Sequence, residues 1–157
     1  KPPVRLPGGS LRSTPATQAN LSFQLGEARV LRPGDDVALF ATGETVIHCL
    51  LAAAQLADCG VQARVLSVPT VKPLDAEAVL AAGRTCRAVI VAEEHSVHGG
   101  LGEACAAALL AAGVAPRFAI AAIPDEDTVT GAQADIFRHY GLSMEGLAQR
   151  AIELLGE

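Results

Sequence analysis

Two acids and two imidazoles occur within six residues, between an apolar run and a glycine-rich segment. The stretch reads EEHSVHGGLG from Glu93 to Gly102, and it follows the apolar run 88–92. Carboxylates and imidazoles can transfer protons near neutral pH or bind a metal ion, and the free N–H groups at a helix start can bind an anion. A strand, a polar turn and a helix in this order form the layout in which open α/β sheets place functional groups. The stretch is therefore the first candidate for a functional site.

Metal binding, acid–base or nucleophilic catalysis, and dinucleotide binding would each need a residue or spacing that this stretch does not supply. His95 and His98 have HxxH spacing rather than the HExxH spacing of a helical zinc site, and no cysteine joins them. Glu93 and Glu94 would point to opposite sides of a continuing strand, and no GxSxG nucleophile motif accompanies them. The G-x-G-x-x-C of residues 100–105 departs from the dinucleotide fingerprint at its last position. A simpler interpretation stays open, in which the histidines hydrogen-bond the backbone or a neighbouring chain.

The second candidate segment is Lys72-Pro73-Leu74-Asp75. It joins a basic side chain, a rigid turn and an acid that is suited to cap a helix. Two interpretations are equally open: contact with a partner domain, or a loop that closes onto the edge of the sheet.

The elements that position these segments alternate between strands and helices. Apolar runs predict strands at 37–41, 61–68, 87–92 and 118–123. Helical periodicity and capping residues predict helices at 44–58, 75–82, 101–112, 133–139 and from Ser143 onward, with Gly83 ending the second. This alternation predicts an α/β fold of three layers, a mostly parallel sheet of about five strands with helices on both faces.

The amino-acid composition and net charge argue against several classes of protein. The chain has 157 residues, a net charge of −5 and only 3% aromatic residues, and this balance argues against nucleic-acid binding. No apolar run reaches 18 residues, so no membrane association is expected. The four cysteines lie in or beside apolar runs without CxxC spacing, which predicts free, buried thiols and a cytoplasmic location. Residues 1–20 are rich in proline and glycine and are interpreted as a linker or arm, and residues 21–31 as a short mixed segment.

Taken in order, several motifs resemble the C-terminal domain of the transketolase family. They are LGEA at 25–28, RPGDDV at 32–37, ATG at 41–43, TVKPLD at 70–75, EEHSVHGGLG at 93–102 and YGLS at 140–143. The resemblance spans about residues 23 to 155, and EEHSVHGGLG is its most specific part. On this basis residues 21–157 are assigned to a transketolase C-terminal-like domain. Residues 1–20 then resemble the end of a preceding pyrimidine-binding domain.

The resemblance implies transfer of two-carbon ketol units between sugar phosphates with thiamine diphosphate and a divalent cation, Mg²⁺. It also implies that upstream domains or a partner subunit bind both groups. The chain has no GDG…N metal motif and no identifiable equivalent of the cofactor-activating glutamate. We therefore predict no catalytic, cofactor-binding or metal-binding residue in this chain. Its expected role is assembly with an N-terminal transketolase subunit or upstream domains in a homo- or hetero-oligomer, through Lys72, Asp75, Glu94, His95 and His98.

Other members of the same superfamily remain as alternatives. A deoxyxylulose-phosphate synthase or the β subunit of a 2-oxo acid dehydrogenase would carry a similar domain, and so would a non-enzymatic interaction or ligand-sensing module. The start at Lys1 is interpreted as a piece of a split second subunit or a processed fragment. An intact mass matching 157 residues encoded as such would count against that interpretation.

Overall fold

A five-stranded sheet forms the centre of the molecule. A computed structural model describes residues 23–156. The strands, in the spatial order β1-β3-β2-β4-β5, are β1 Arg29–Arg32, β2 Val37–Ala41, β3 Ala63–Ser67, β4 Ala88–Ser96 and β5 Arg117–Ile123. All neighbouring strands pair in parallel except β1, which runs antiparallel to β3 at the edge.

Five helices cover the two faces of the sheet. They are α1 Thr45–Asp58, α2 Ala76–Thr85, α3 Leu101–Ala111, α4 Gln133–His139 and α5 Met144–Leu155. Buried residues of α1, α4 and α5 pack on one face, and buried residues of α2 and α3 pack on the other. Because both faces are covered, β2 is fully buried along its whole length, as expected for an inner parallel strand. The predicted three-layer α/β fold is confirmed.

Three local predictions were wrong. Strand β1 lies in the segment interpreted as mixed, because pairing with β3 (Val30 opposite Leu66) fixes it rather than any local pattern. Helix α2 continues through Gly83, which is buried against the side chain of Leu109, so that this glycine serves close packing and does not end the helix. Cys59 is exposed at the C-terminal end of α1, while the other three cysteines are free and buried as predicted.

Strand β4 is longer than its apolar run. It continues through the polar residues to Ser96, four residues past Ala92. The arm predicted at residues 1–20 lies outside the described residues. In the part of the chain that the structure describes, no helix is both long and apolar enough to cross a bilayer.

Candidate functional site

The candidate site lies at the point in the sheet where the helical connections switch from one face to the other. Strands β2 and β4 are neighbours, but α1 follows β2 on one face and α3 follows β4 on the other. A crevice therefore opens beyond the carboxyl ends of these two strands, at the position where open α/β sheets bind their ligands. It is an open cleft of about 400 Å³, lined by Thr42, Gly43, Glu44, Val71, Glu93, Glu94, His95, Gly99 and Gly100.

Glu93 and Glu94 are adjacent in sequence but have opposite environments. Because β4 continues past Ala92, their side chains alternate, as the sequence predicted for a continuing strand. Glu93 is 2% exposed, and its carboxylate accepts hydrogen bonds from the backbone N–H groups of Leu101 (2.7 Å) and Gly102 (2.8 Å). Glu94 is exposed and accepts from the Gln133 amide at 3.1 and 3.2 Å. The buried acid thus holds the start of α3, while the other faces solvent.

The start of α1 is also attached to β4. The buried hydroxyl of Thr45 lies 2.8 Å from the Ala92 carbonyl and 2.7 Å from the Thr42 carbonyl, and donates to these oxygens. Together with Glu93, this contact ties both helices that flank the cleft to the end of one strand. Sequence reasoning did not single out Thr45, although a hydroxyl in the first turn of a helix beside an apolar strand was a usable signal.

The two histidines of the stretch are exposed and have separate contacts. His95 lines the cleft, and its Nδ1 lies 2.8 Å from the Ser96 carbonyl oxygen. His98 places its Nδ1 3.3 Å from Glu103, whose other oxygen accepts from the Gly99 N–H at 2.8 Å. The Gly99 hydrogen bond, followed by that of His98, holds the pKa of the Glu103 carboxyl below its usual value.

The Lys72 segment reaches the same end of the sheet. Val71 lines the cleft and Lys72 beside it is exposed. Asp75 caps α2 as predicted, since one carboxylate oxygen accepts from Ala78 N–H at 3.0 Å. Its second oxygen accepts from Ala28 N–H at 2.8 Å, just before β1. The Asp75 carboxylate is therefore bonded within the chain, and it braces the loop that presents Lys72.

Exposed apolar side chains concentrate at this end of the sheet. Because β1 is antiparallel and Arg29 pairs with Ser67, the segment before β1 lies at the carboxyl end of β3. Of the seven large apolar side chains exposed within residues 23–156, the five at this end are Phe23, Leu25, Ile47, Val71 and Val129. Val30 lies within β1, and Leu110 lies in the last turn of α3 at the opposite end. We call these five residues and the cleft lining, with Lys72 and His98, the carboxyl-end surface.

The chemistry available at this surface is limited. Across the described range 23–156, no three His, Cys, Asp or Glu side chains are grouped so that they could hold a metal ion. Burial raises the pKa of Cys49 and Cys105 to about 12 and raises that of Cys86 as well, so these thiols stay protonated at neutral pH.

Comparisons with known proteins agree with the motifs. Residues 26–147 match the family model described as "Transketolase, C-terminal domain". A subunit of the apulose-4-phosphate transketolase of Phocaeicola vulgatus is 41% identical over 87% of this chain and 43% of that protein. The 1-deoxy-D-xylulose-5-phosphate synthase of Symbiobacterium thermophilum is 39% identical over 97% of this chain and 24% of that protein. The chain thus spans less than half the length of these relatives.

A solved structure extends the likeness to three dimensions. It is described as "Split gene transketolase, inactive beta4 tetramer" and superposes with a TM-score of 0.77 at 32% identity. The superposition covers 87% of this chain and 44% of that one.

Proposed function

The chain belongs to the transketolase C-terminal domain family, and on that premise we propose that it is the assembly domain of a ketol-transferring enzyme. The complete enzyme transfers two-carbon ketol units between sugar phosphates in the cytoplasm. The domain docks through its carboxyl-end surface onto the polypeptide that binds the cofactor, whether upstream domains or an N-terminal subunit. We call that polypeptide the cofactor-binding part.

The concentration of exposed apolar side chains at the carboxyl-end surface carries this proposal. Val71 is 40% exposed and lines the cleft together with Glu94 and His95, and Lys72 follows it in the chain; Ile47 is 51% exposed in the first turn of α1. Apolar contacts with a polar margin are the usual anatomy of a protein interface. Two of the relatives, one named as a transketolase subunit and one described as a β4 tetramer of a split transketolase, support an assembly role.

The polar residues of the interface are those predicted from the sequence. We propose that Lys72, Glu94, His95 and His98 contact the partner directly, and that Asp75 contributes by holding the Lys72 loop in place. His95→Ala should weaken association by about tenfold, the value of one hydrogen bond at a desolvated interface, with little change in folding stability. Analytical ultracentrifugation of the assembled protein checks this. An unchanged association constant would show that His95 does not take part in the interface.

The acids near the cleft do not form a site for a divalent cation. The acids nearest the cleft are Glu44, Glu93 and Glu94; the carboxylate of Glu93 is committed to α3, and no group of three metal ligands forms among residues 23–156. We propose that the cofactor-binding part holds thiamine diphosphate and Mg²⁺, and we assign no chemical step to this chain.

A reconstitution experiment tests the proposal. Ketol transfer from a ketose phosphate to an aldose phosphate is measured for the chain alone, for the cofactor-binding part alone, and for the mixture with thiamine diphosphate and Mg²⁺. We expect activity only in the mixture. Turnover by the chain alone would contradict the assembly role, and so would full activity of the cofactor-binding part without this chain.

A deoxyxylulose-phosphate synthase is the second candidate function, because the Symbiobacterium relative with that name matches 97% of this chain. The same reconstituted proteins, assayed a second time with pyruvate as donor and a triose phosphate as acceptor, distinguish the two candidates. Formation of 1-deoxy-D-xylulose 5-phosphate with release of CO₂, without ketol transfer between sugar phosphates in the first assay, would favour the synthase.

A further inference from the structure

The buried Glu93 carboxylate takes the position at the start of α3 where a bound anion would lie in a related crevice. The first N–H groups of a helix have no partner within the helix, and they attract negative charge. Here both oxygens of Glu93 accept from such groups, those of Leu101 and Gly102. The crevice is therefore closed to a phosphate at this point by a side chain of the domain itself.

The surrounding chain is shaped to admit this carboxylate. A Cβ atom added at Gly100 would collide with the Glu93 carboxylate, so only glycine leaves room for it there. A Cβ atom at Gly102 would lie 2.6 Å from the Ile120 side chain on β5, which presses the helix start against the sheet. Two glycines of the GGLG segment thus serve the Glu93 contact and the close approach of α3.

The segment between Glu93 and α3 carries three of the four proposed contact residues. Glu94, His95 and His98 lie on residues 94–98, and two carboxylates hold the chain that follows this segment. Glu93 fixes the helix that follows, and Glu103 accepts from the Gly99 N–H at 2.8 Å. Inside the segment, Ser96 Oγ accepts from the His98 N–H at 3.3 Å.

We propose that Glu93 is a positioning residue for the carboxyl-end surface: it fixes α3 relative to β4 and so sets where Glu94, His95 and His98 meet the partner. This inference rests on the proposed function. Glu93 itself touches no partner, because it is buried.

The test compares Glu93→Gln with a matched carboxylate-to-amide change at the other end of the sheet. Gln keeps the size of Glu but turns an N–H donor toward one of the two backbone donors. Asp36→Asn is the control, because Asp36 also accepts from a backbone N–H, that of Gln62, at 2.7 Å. Glu93→Gln should weaken binding to the cofactor-binding part about tenfold, as loss of one charge-assisted hydrogen bond predicts, and Asp36→Asn should leave binding unchanged.

Hydrogen exchange by NMR on the chain alone gives a readout that needs no partner. In Glu93→Gln, the amides of Leu101 and Gly102 should exchange about tenfold faster or more, and those of residues 95–99 should follow. Formate, supplied at tens of millimolar to Glu93→Ala, should restore protection and binding in part, since it can occupy the vacated carboxylate position. Formate should do nothing for Glu93→Gln, whose side chain fills the space.

Each outcome decides one question. Unchanged exchange in Glu93→Gln would overturn the positioning role whatever the partner does. Faster exchange with unchanged binding would also overturn it, provided that His95→Ala still weakens binding. If neither Glu93→Gln nor His95→Ala affects binding, the interface does not lie at the carboxyl-end surface and the proposed function fails as well.

Discussion

The two ends of the sheet are built differently. At the amino end, polar groups are bonded to one another: Arg64 reaches Asp35 at 2.6 Å and the Gly34 carbonyl at 2.9 Å, and Asp36 accepts from Gln62. At the carboxyl end, the buried bonds of Glu93 and Thr45 hold the framework, but apolar and ionisable side chains above it face solvent. Within residues 23–156, the polar groups of the amino end are bonded to one another, whereas the carboxyl end carries exposed side chains on a fixed framework.

We infer from this contrast that the residues that stabilise the fold and the residues that bind the partner lie at opposite ends of the sheet. Residues at the amino end should affect folding and leave partner binding intact. Exposed residues at the carboxyl end should do the reverse.

Gly34→Ala should give the largest loss of stability. A Cβ atom there would lie 2.6 Å from the Gln62 carbonyl oxygen and closer still to the Ala63 backbone, which cannot move aside as a flexible side chain can. We expect the free energy of unfolding in urea to fall by about 3 kcal/mol, as overpacking a tight site predicts. At a temperature where the variant stays folded, its affinity for the cofactor-binding part should equal that of the parent. A matched loss of affinity would show that the amino end also takes part in docking.

Ile47→Glu should have the opposite profile. The change places a charge in the proposed apolar contact and should weaken binding by about 2 kcal/mol, the threshold for an interface hot spot. Folding stability should change by less than about 0.5 kcal/mol, because the site is exposed and an acid in the first turn of a helix is favourable. Calorimetric titration and urea unfolding measure the two effects.

Leu110→Glu is the control for that variant. Leu110 is 83% exposed in the last turn of α3, so the same charge enters an even more accessible apolar position at the opposite end. Its affinity for the partner should be unchanged. Equal loss of affinity in both variants would show that added negative charge, and not the place where it is added, weakens the assembly.

Cys59 offers a probe of the amino end that leaves the carboxyl end untouched. It is the exposed thiol at the end of α1, whereas Cys49, Cys86 and Cys105 are buried. A bulky maleimide should add once under native conditions, as seen by intact mass and peptide mapping, and the adduct should still bind its partner. Inhibition by this single adduct would place part of the interface at the amino end.

The sequence predicted the elements whose signals are local. The fully apolar β2 follows from its composition, and the last helix follows from its apolar stripe and the Ser143 cap, which the structure confirms through the Gly146 N–H at 3.3 Å. Strand β1 could not be predicted in this way, because Val30 and its neighbours take their conformation from β3 across the sheet.

The place of the EEHSVHGGLG stretch in the fold was predicted from the sequence, but its internal contacts were not. The stretch lies between the apolar part of β4 and α3 as predicted, yet Glu93 and Glu94 are identical in type, and only the continuation of β4 buries one of them. One sequence signal could have identified Glu93 as the buried acid. It directly follows the apolar run of the strand, and the glycine pair Gly99-Gly100 comes six and seven residues later. The outward role of Glu94, His95 and His98 remains a prediction, because it depends on a second polypeptide.

The smallest expected effect concerns the exposed carboxylate beside the segment 94–98. The pKa of Glu103 is lowered from its ordinary value of 4.5 by hydrogen bonds from Gly99 and His98, so its ionised form is favoured in the folded state. The stability that it contributes is therefore fully present above pH 4.5 and is lost as the pH falls through the lowered pKa. In urea unfolding, Glu103→Gln should be slightly less stable than the parent at pH 7, and the difference should shrink below pH 4.5. A difference that stays constant from pH 7 to well below pH 4.5 would mean that the segment is held without help from this charge, leaving Glu93 as its main anchor.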